Sequence, residues 1–283
     1  MYESSVTHFS EIAREKAGRL RRSPLGFFVA AMFAGAYIGI AMILALSCAI
    51  GLPAGVRPLV LGATFGLGLI LSTFAGAELF TGYVMYVGFG LARKTISAAD
   101  AVKLLVVVWF GNLAGALILS ALFVLAGGGA VFADGGTYLA AYASHKVDAS
   151  VIQLLSRAAL CNWLVCLAIW TASRVASETA KCVVLAWTLL AFVAAGFEHS
   201  VANMTALTLG MFDASAHFDL VGVIRNLVVV TAGNIIGAAV LVVGGYLLAA
   251  RTDREGESSR GLEAAPSLGN ASMGKSPKFS QKL

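Results

Sequence analysis

The sequence is poor in charged residues and in cysteine. Charged side chains make up 12% of its 283 residues, whereas a soluble globular domain carries about 25%. The four cysteines lie in or at the ends of apolar stretches and lack metal-ligand spacing, so we interpret them as small packing residues, not as a disulfide framework. We expect no metal site and no cofactor. A mean hydropathy of +0.85 and a hydrophobic fraction of 59% indicate an all-α integral membrane protein.

Six apolar stretches are long enough to cross a bilayer, which takes about 20 apolar residues in a helix. They cover residues 25–56, 58–92, 104–133, 149–173, 182–212 and 226–250. The first, third and sixth contain no charged residue, and the fourth contains only Arg157. The second and fifth are interrupted by glutamate, glycine and polar residues, which predicts a break in each of these two helices.

The net charge of +5 reflects the membrane topology and does not indicate a nucleic-acid-binding surface. If the N-terminus is cytoplasmic, all but four of the 20 lysines and arginines fall on the cytoplasmic side of six crossings. The four exceptions are Arg57, Lys146, Arg157 and Arg225. This positive-inside bias predicts a multi-pass protein with both termini in the cytoplasm and no nucleic-acid partner.

The amino-acid composition divides the chain into three regions. Residues 1–23 are predicted to form a cytoplasmic amphipathic helix, because Phe9, Ala13 and Ala17 follow helical spacing between charged residues. We expect this helix to orient and anchor the protein at the membrane surface. Residues 24–250 form the transmembrane region, in contact with lipid. Residues 251–283 are rich in Ser, Gly and charged residues, which is typical of a disordered tail.

The transmembrane region contains an internal duplication. Glu78 and Glu198 are lone acids in the second and fifth apolar stretches, 120 residues apart. A Gly-Asn-x-x-Gly-Ala pattern occurs at residues 111–116 and again at 233–238. Three crossings per half is an odd number, so the second half enters the membrane upside down. Such inverted repeats place a polar site near the membrane midplane, between the broken helices.

Four stretches of the sequence resemble the formate/nitrite transporter family, and within it the bacterial nitrite-channel branch. They are RPLVLGATFG at 57–66, AELFTG at 77–82, CNWLVCLAIW at 161–170 and FEHSVANM at 197–204. The resemblance extends over residues 24–250 with the spacing intact. It implies an aquaporin-like six-helix protomer in a bacterial inner membrane, assembled as a homopentamer with one pore per subunit. The implied substrates are small monovalent anions of weak acids, nitrite first and formate next, followed by hydrosulfide and lactate-like anions.

The resemblance also assigns roles to individual residues. It implies that His199 is the central pore histidine and that Thr81 is its partner on a loop. The other polar residues it places along the path are Lys146, Asn162 and Asn234. The apolar constrictions it implies are formed by Phe65, Leu69, Leu79, Phe80 and Phe192.

His199 fits the transport of a weak acid. A bare anion loses its hydration in a dry constriction at a large cost in free energy. A histidine that titrates near neutral pH can give the anion a proton or a hydrogen bond, and the neutral acid then crosses more easily. Glu78 and Glu198 are interpreted as supports that accept backbone or asparagine hydrogen bonds at the broken helices, with Asn112 and Asn234 as matched partners. A proton relay through the two acids is the alternative.

An intramembrane enzyme is the competing class of function. His199 and Ser200 are adjacent, and adjacent residues on a helix do not face each other. The sequence contains neither Gly-x-Ser-x-Gly nor His-Glu-x-x-His, and the other three histidines lie outside the apolar stretches. The residues therefore favour a channel over a hydrolase.

Overall fold

The computed structural model describes residues 2–133, 137–213 and 215–251, and all regular structure within these ranges is helical. The first half contains α1 (Glu3–Arg22), α2 (Pro24–Ala49), α3 (Arg57–Phe74), α4 (Phe80–Ala92), α5 (Ala98–Leu125) and α6 (Gly129–Ala133). The second contains α7 (Thr137–Asp148), α8 (Val151–Ala172), α9 (Glu178–Ala194), α10 (Ser200–Met211) and α11 (Leu220–Ile236). The chain continues from α11 through a π-helical segment, Gly237–Gly244, as one span that reaches Arg251. Beyond Arg251, the predicted tail lies outside the described residues.

The predicted six crossings and both helix breaks are confirmed. Within the described ranges, α2, α3, α5, α8 and Leu220–Arg251 are each long and apolar enough to cross a membrane. Residues 75–79 interrupt the second crossing between α3 and α4, and residues 195–199 interrupt the fifth between α9 and α10. The helices do not end where the apolar stretches end at every point. α2 ends at Ala49 although the apolar stretch continues to residue 56, and α5 ends at Leu125, shortly before the positive-φ residues Gly127, Gly128 and Gly129.

Each break turns on a glycine in a conformation that other residues rarely adopt. Gly76 has φ of 71° and Gly196 has φ of 73°, and the two occupy matching positions in the halves. After each turn the backbone is held by a neighbouring helix. The N–H of Glu78 donates to the Ala30 carbonyl at 3.1 Å, and the N–H of Glu198 donates to the Arg157 carbonyl at 3.3 Å. The breaks are therefore built in the same way in both halves.

The two Gly-Asn-x-x-Gly-Ala patterns occupy equivalent helix crossings. A Cβ added to Gly115 on α5 would lie 1.9 Å from the Met32 carbonyl oxygen on α2. A Cβ added to Gly237 would lie 2.1 Å from the Ala159 carbonyl oxygen on α8. No side chain fits at either position, so these glycines let paired helices approach at backbone contact distance, as expected for an inverted repeat.

The apolar face of α1 packs on protein. Val6, Phe9, Ala13 and Ala17 are buried, and α1 packs mainly against α4. The Phe9 ring stacks on the Trp170 ring with 5.5 Å between centroids. The helix forms where the sequence predicted it, but this face is not available to anchor the protein in lipid. It covers α4 instead.

Candidate functional site

Two cavities open toward the breaks from opposite ends of the bundle. We call the first the α1-side cavity; it has a volume of about 370 Å³ and is lined by residues that include Lys16, Leu69, Glu78 and Leu79. We call the second the α7-side cavity; it has a volume of about 350 Å³ and is lined by residues that include Arg57, Phe65, Lys146, Phe192, Glu198 and His199. Three crossings separate α1 from α7, so the cavities belong to opposite sides of the membrane.

Buried apolar side chains line both cavities. Leu69 and Leu79 line the α1-side cavity, whereas Phe65 and Phe192 line the α7-side cavity. The centroids of the two phenylalanine rings are 6.0 Å apart, in an edge-to-face arrangement. Phe80 is also buried, but it lines neither cavity, and its backbone N–H donates to Asn112 at 2.9 Å. Of the five predicted constriction residues, two therefore line each cavity, and Phe80 lines neither.

His199 lies at the second break and forms the N-cap of α10. Its Nδ1 accepts the backbone N–H of Ala202 at 3.1 Å, and its Nε2 is 3.2 Å from the hydroxyl oxygen of Thr81. Because Nδ1 accepts a hydrogen bond, the neutral ring carries its proton on Nε2 and donates toward Thr81. The ring stacks on Phe192 with 5.9 Å between centroids. The structure thus brings His199, Thr81 and Phe192 together beside the α7-side cavity.

Glu198 forms a buried ion pair with Lys146. The Lys146 Nζ is 2.9 Å from a Glu198 carboxylate oxygen, and both side chains are less than one tenth exposed. Asn203 donates to the same oxygen at 2.7 Å, and Lys146 Nζ lies 5.0 Å from the centroid of the Tyr142 ring. The sequence assigned Lys146 to the path but did not predict that Glu198 binds it.

Glu78 is held in the same way at the first break. Its carboxylate accepts hydrogen bonds from Lys16 Nζ, Arg19 Nη1 and the Tyr83 hydroxyl, each at 2.8 Å. Lys16 and Arg19 belong to α1, the first helix of the first half, and Lys146 belongs to α7, the first helix of the second half. In each half, the acid at the break is therefore bound by a cation from the first helix of that half.

The predicted asparagines contact the two acids, but at the backbone of each acid and not at its carboxylate. Asn112 and Asn234 do not bind the carboxylates; their side-chain amides donate to the backbone carbonyls of Glu78 at 2.9 Å and of Glu198 at 3.0 Å. Asn112 also donates to Ala31, and Asn234 to Ala158, both at 2.8 Å. Sequence spacing identified the matched asparagines correctly, but it carried no information on which atom of each glutamate they bind.

Asn162 and Asn234, both predicted on the path, bind backbone around the second break. Asn234 uses its side-chain oxygen to accept the Ser200 N–H at 3.0 Å, and Asn162 donates to the backbone carbonyl of Asn234 at 2.8 Å. Both are buried, and neither lines either cavity. Their side-chain amides are occupied in holding the backbone around the second break, as Asn112 does around the first.

Several residues of the site were missed from sequence. Arg57 and His145 line the α7-side cavity together with Lys146, and Lys16 lines the α1-side cavity. Arg57 lies over the Tyr138 ring, 4.6 Å from its centroid. The sequence offered one signal for Arg57 and Lys146: they are two of the four cations that the predicted topology leaves outside the cytoplasm.

Comparisons with known proteins agree with this architecture. The family model described as formate/nitrite transporter matches residues 6–248. The nitrite transporter NirC of Escherichia coli (strain K12) is 40% identical over 247 residues, which cover 87% of this chain and 91% of the relative. A solved FNT family ion channel superposes with a TM-score of 0.84 at 40% identity, covering 87% of this chain and 99% of that one. A solved pentameric formate channel with formate bound gives a TM-score of 0.70 at 32% identity, covering 81% of this chain and 98% of the other.

Proposed function

Because the chain belongs to the formate/nitrite transporter family, we propose that it is a channel for small monovalent anions of weak acids, with nitrite as the preferred substrate. The observation that supports this proposal is a single arrangement: two cavities whose linings contain cations and buried apolar side chains, with His199 in the lining of the α7-side cavity. Nitrite is placed first because the identity to the nitrite transporter, 40%, exceeds the identities of 37% and 35% to relatives described as a probable formate transporter and a formate channel. Formate is the second candidate. An intramembrane enzyme has no support from these relatives, which are described as transporters and channels.

The α7-side cavity is suited to attract anions. In the α7-side cavity, the charges of Lys146 and Glu198 offset each other, while Arg57 has no carboxylate partner among the described residues. This leaves a positive potential in a cleft with low-dielectric walls, which raises the local concentration of anions. Lys16 places a cation in the α1-side cavity, where it is paired with Glu78. We assign Lys146 and Lys16 as the cations that an anion meets before the constriction.

His199 acts where the anion must give up its water. Passage of a charged nitrite between Phe65 and Phe192 carries a large desolvation cost, which is absent for the neutral acid. The neutral His199 ring offers its Nε2–H as a hydrogen bond. Once the ring is protonated at Nδ1 as well, its Nε2–H bond breaks, an O–H bond forms on the anion, and neutral imidazole and neutral acid result. Protonation at Nδ1 requires release of the Ala202 N–H, so the proton donor forms only when the α10 cap opens.

His199→Asn tests this role. Asparagine is a good N-cap and can keep the bond to Ala202, but it does not titrate. We expect the variant to fold and assemble while nitrite flux into proteoliposomes loses the increase that the native channel shows as pH falls. His199→Phe fills the space but loses the cap, so it serves as the companion variant. Retention of the native pH response by His199→Asn would exclude His199 as the proton donor.

The remaining assignments concern support and assembly. We assign Glu78, Glu198 and Asn112 to holding the breaks, not to a proton relay, because their polar atoms bind cations or backbone. We propose that residues 24–250 form the channel and that α1, within residues 1–23, closes its cytoplasmic end. We further propose a homopentamer in the bacterial inner membrane with both termini in the cytoplasm, since the solved formate channel is described as pentameric.

A further inference from the structure

Arg57, the first residue of α3, is the outer of the two lysine and arginine side chains that line the described part of the α7-side cavity. It is half-buried, whereas Lys146 and His199 in the same lining are 6% and 3% exposed. Its Nε–H donates to the Leu52 carbonyl at 2.8 Å, and its guanidinium carbon lies 4.6 Å from the centroid of the Tyr138 ring. These two contacts hold the guanidinium in the outer wall of the cavity.

A row of side chains on α7 leads from Arg57 to the interior of the cavity. Tyr138, Tyr142 and Lys146 follow one another at intervals of four residues, so they share one face of α7, and all three line the cavity. The centroids of the two rings are 6.3 Å apart, and the Lys146 Nζ lies 5.0 Å from the Tyr142 centroid. Tyr138 and Lys146 are separated by about 12 Å along the helix axis. An anion that enters this cavity therefore meets Arg57 before it reaches Lys146.

The guanidinium of Arg57 keeps hydrogen-bond donors for a ligand. Glu198, which also lines the cavity, is bound to Lys146 at 2.9 Å, and no other carboxylate of the described residues lines it. The Nε–H of Arg57 is occupied by Leu52, whereas Nη1 and Nη2 have no acceptor within the described part of the chain. The face of the Tyr138 ring attracts the charge without using the N–H groups at these two nitrogens.

Two parallel donors match an anion that carries two oxygens on one atom. Nitrite and formate both have this planar shape, as a carboxylate does, and arginine binds it through two hydrogen bonds. A linear anion such as azide presents a single terminal atom to the same edge. Because Arg57 is only half-buried, water competes for its donors, and the bound anion can leave again, as conduction requires.

We propose that Arg57 is the outer binding subsite for the transported anion and that its Nη1–Nη2 edge selects planar anions with two oxygens. The inference rests on the anion channel proposed above and adds a specificity-determining residue outside the constriction. Lys146 does not supply this selection, because an ammonium acts as a point charge and this one is bound to Glu198. Arg57 favours nitrite and formate as a class and does not distinguish one from the other.

The test is nitrite flux into proteoliposomes at increasing nitrite concentration, without azide and with azide as a competitor. Arg57→Lys keeps the charge but loses the parallel donors. We expect the half-saturating nitrite concentration to rise about three- to tenfold, the effect of losing one hydrogen bond, while the maximal flux is retained. The azide concentration that halves nitrite flux, divided by the half-saturating nitrite concentration, should fall by the same factor. Formate flux should respond to Arg57→Lys as nitrite flux does.

Arg225→Lys is the matched control. Arg225 is also predicted outside the cytoplasm, but it donates to the carbonyls of Val147 and Ala149 and lines neither cavity, so both quantities should stay native. An unchanged azide-to-nitrite ratio in Arg57→Lys would show that Arg57 acts through its charge alone. A lower maximal flux with an unchanged half-saturating concentration would show a structural role, and either result overturns the inference. If the native protein carries no nitrite, the proposed function itself fails, so the two failures are distinguishable.

Discussion

Glu198 and Lys146 show how single residues determine this site. Both side chains are buried, and each is the main charged partner of the other. Removing one member of a buried ion pair leaves an uncompensated charge and typically costs about 3–5 kcal/mol. We therefore expect Glu198→Gln to lower the thermal stability of the purified protein strongly, although glutamine nearly keeps the shape of glutamate.

Two further variants identify the cause of that loss. Lys146→Met combined with Glu198→Gln removes both charges, so most of the stability should return. Glu78→Gln should have a smaller effect, because its partners Lys16 and Arg19 are 23% and 44% exposed and water can compensate them. Equal losses for Glu198→Gln alone and for the double variant would show that the charge of Lys146 is not the cause.

The sequence identified the important residues better than their contacts. Lone acids in apolar stretches are visible in any sequence, and so is a histidine beside one of them. Their partners were not predictable, since Lys16 is 62 residues from Glu78 and Lys146 is 52 residues from Glu198. Spacing reports on neighbours within a helix, whereas these ion pairs form only after separate helices pack. For the same reason, spacing did not show that the side-chain amides of Asn162 and Asn234 bind backbone.

At the scale of elements, the two helix breaks depend on positive-φ glycines. A Cβ on Gly76 or on Gly196 would meet no atom within 4 Å, so substitution by alanine tests the backbone conformation alone. A residue other than glycine in this region costs about 1–3 kcal/mol. We expect Gly76→Ala and Gly196→Ala to lower the thermal midpoint by similar amounts, because the halves use the same turn.

Gly245→Ala is the control for these two variants. A Cβ added to Gly245 would also meet no atom within 4 Å, but the backbone there is helical, so alanine should be neutral or stabilising by up to about 1 kcal/mol. If Gly76→Ala and Gly196→Ala behave like Gly245→Ala, the breaks do not depend on the left-handed glycines.

Apolar length predicted the crossings, and interrupting polar residues predicted the breaks, because both follow from the cost of unpaired backbone in lipid. Helix ends were less predictable. The apolar stretch that contains α2 extends past Ala49 to residue 56. Apolar composition alone does not indicate the residue at which the helix ends. The packing of α1 was also misjudged, since a helix with one apolar face looks the same in sequence whether that face meets lipid or protein.

At the scale of the whole molecule, the distribution of charge predicts the orientation. Gly55 lies in the connection before α3 and Ala176 in the connection before α9, and both are exposed. In a chain with Cys48 and Cys182 replaced by alanine, Gly55→Cys should react with a membrane-impermeant maleimide only from the periplasm. Ala176→Cys should react only from the cytoplasm. Reaction of both from the same side would contradict the six-crossing topology.

Selectivity among anions tests the proposed transport chemistry most directly. Nitrite and formate are conjugate bases of weak acids and can cross the constriction as neutral molecules, whereas chloride cannot be protonated near neutral pH. The measurement is the flux of nitrite, formate and chloride into proteoliposomes that contain one preparation of the native protein. We predict rapid nitrite flux, slower formate flux and chloride flux no greater than in protein-free liposomes. Chloride flux equal to nitrite flux would contradict passage as a neutral acid and with it the proposed function.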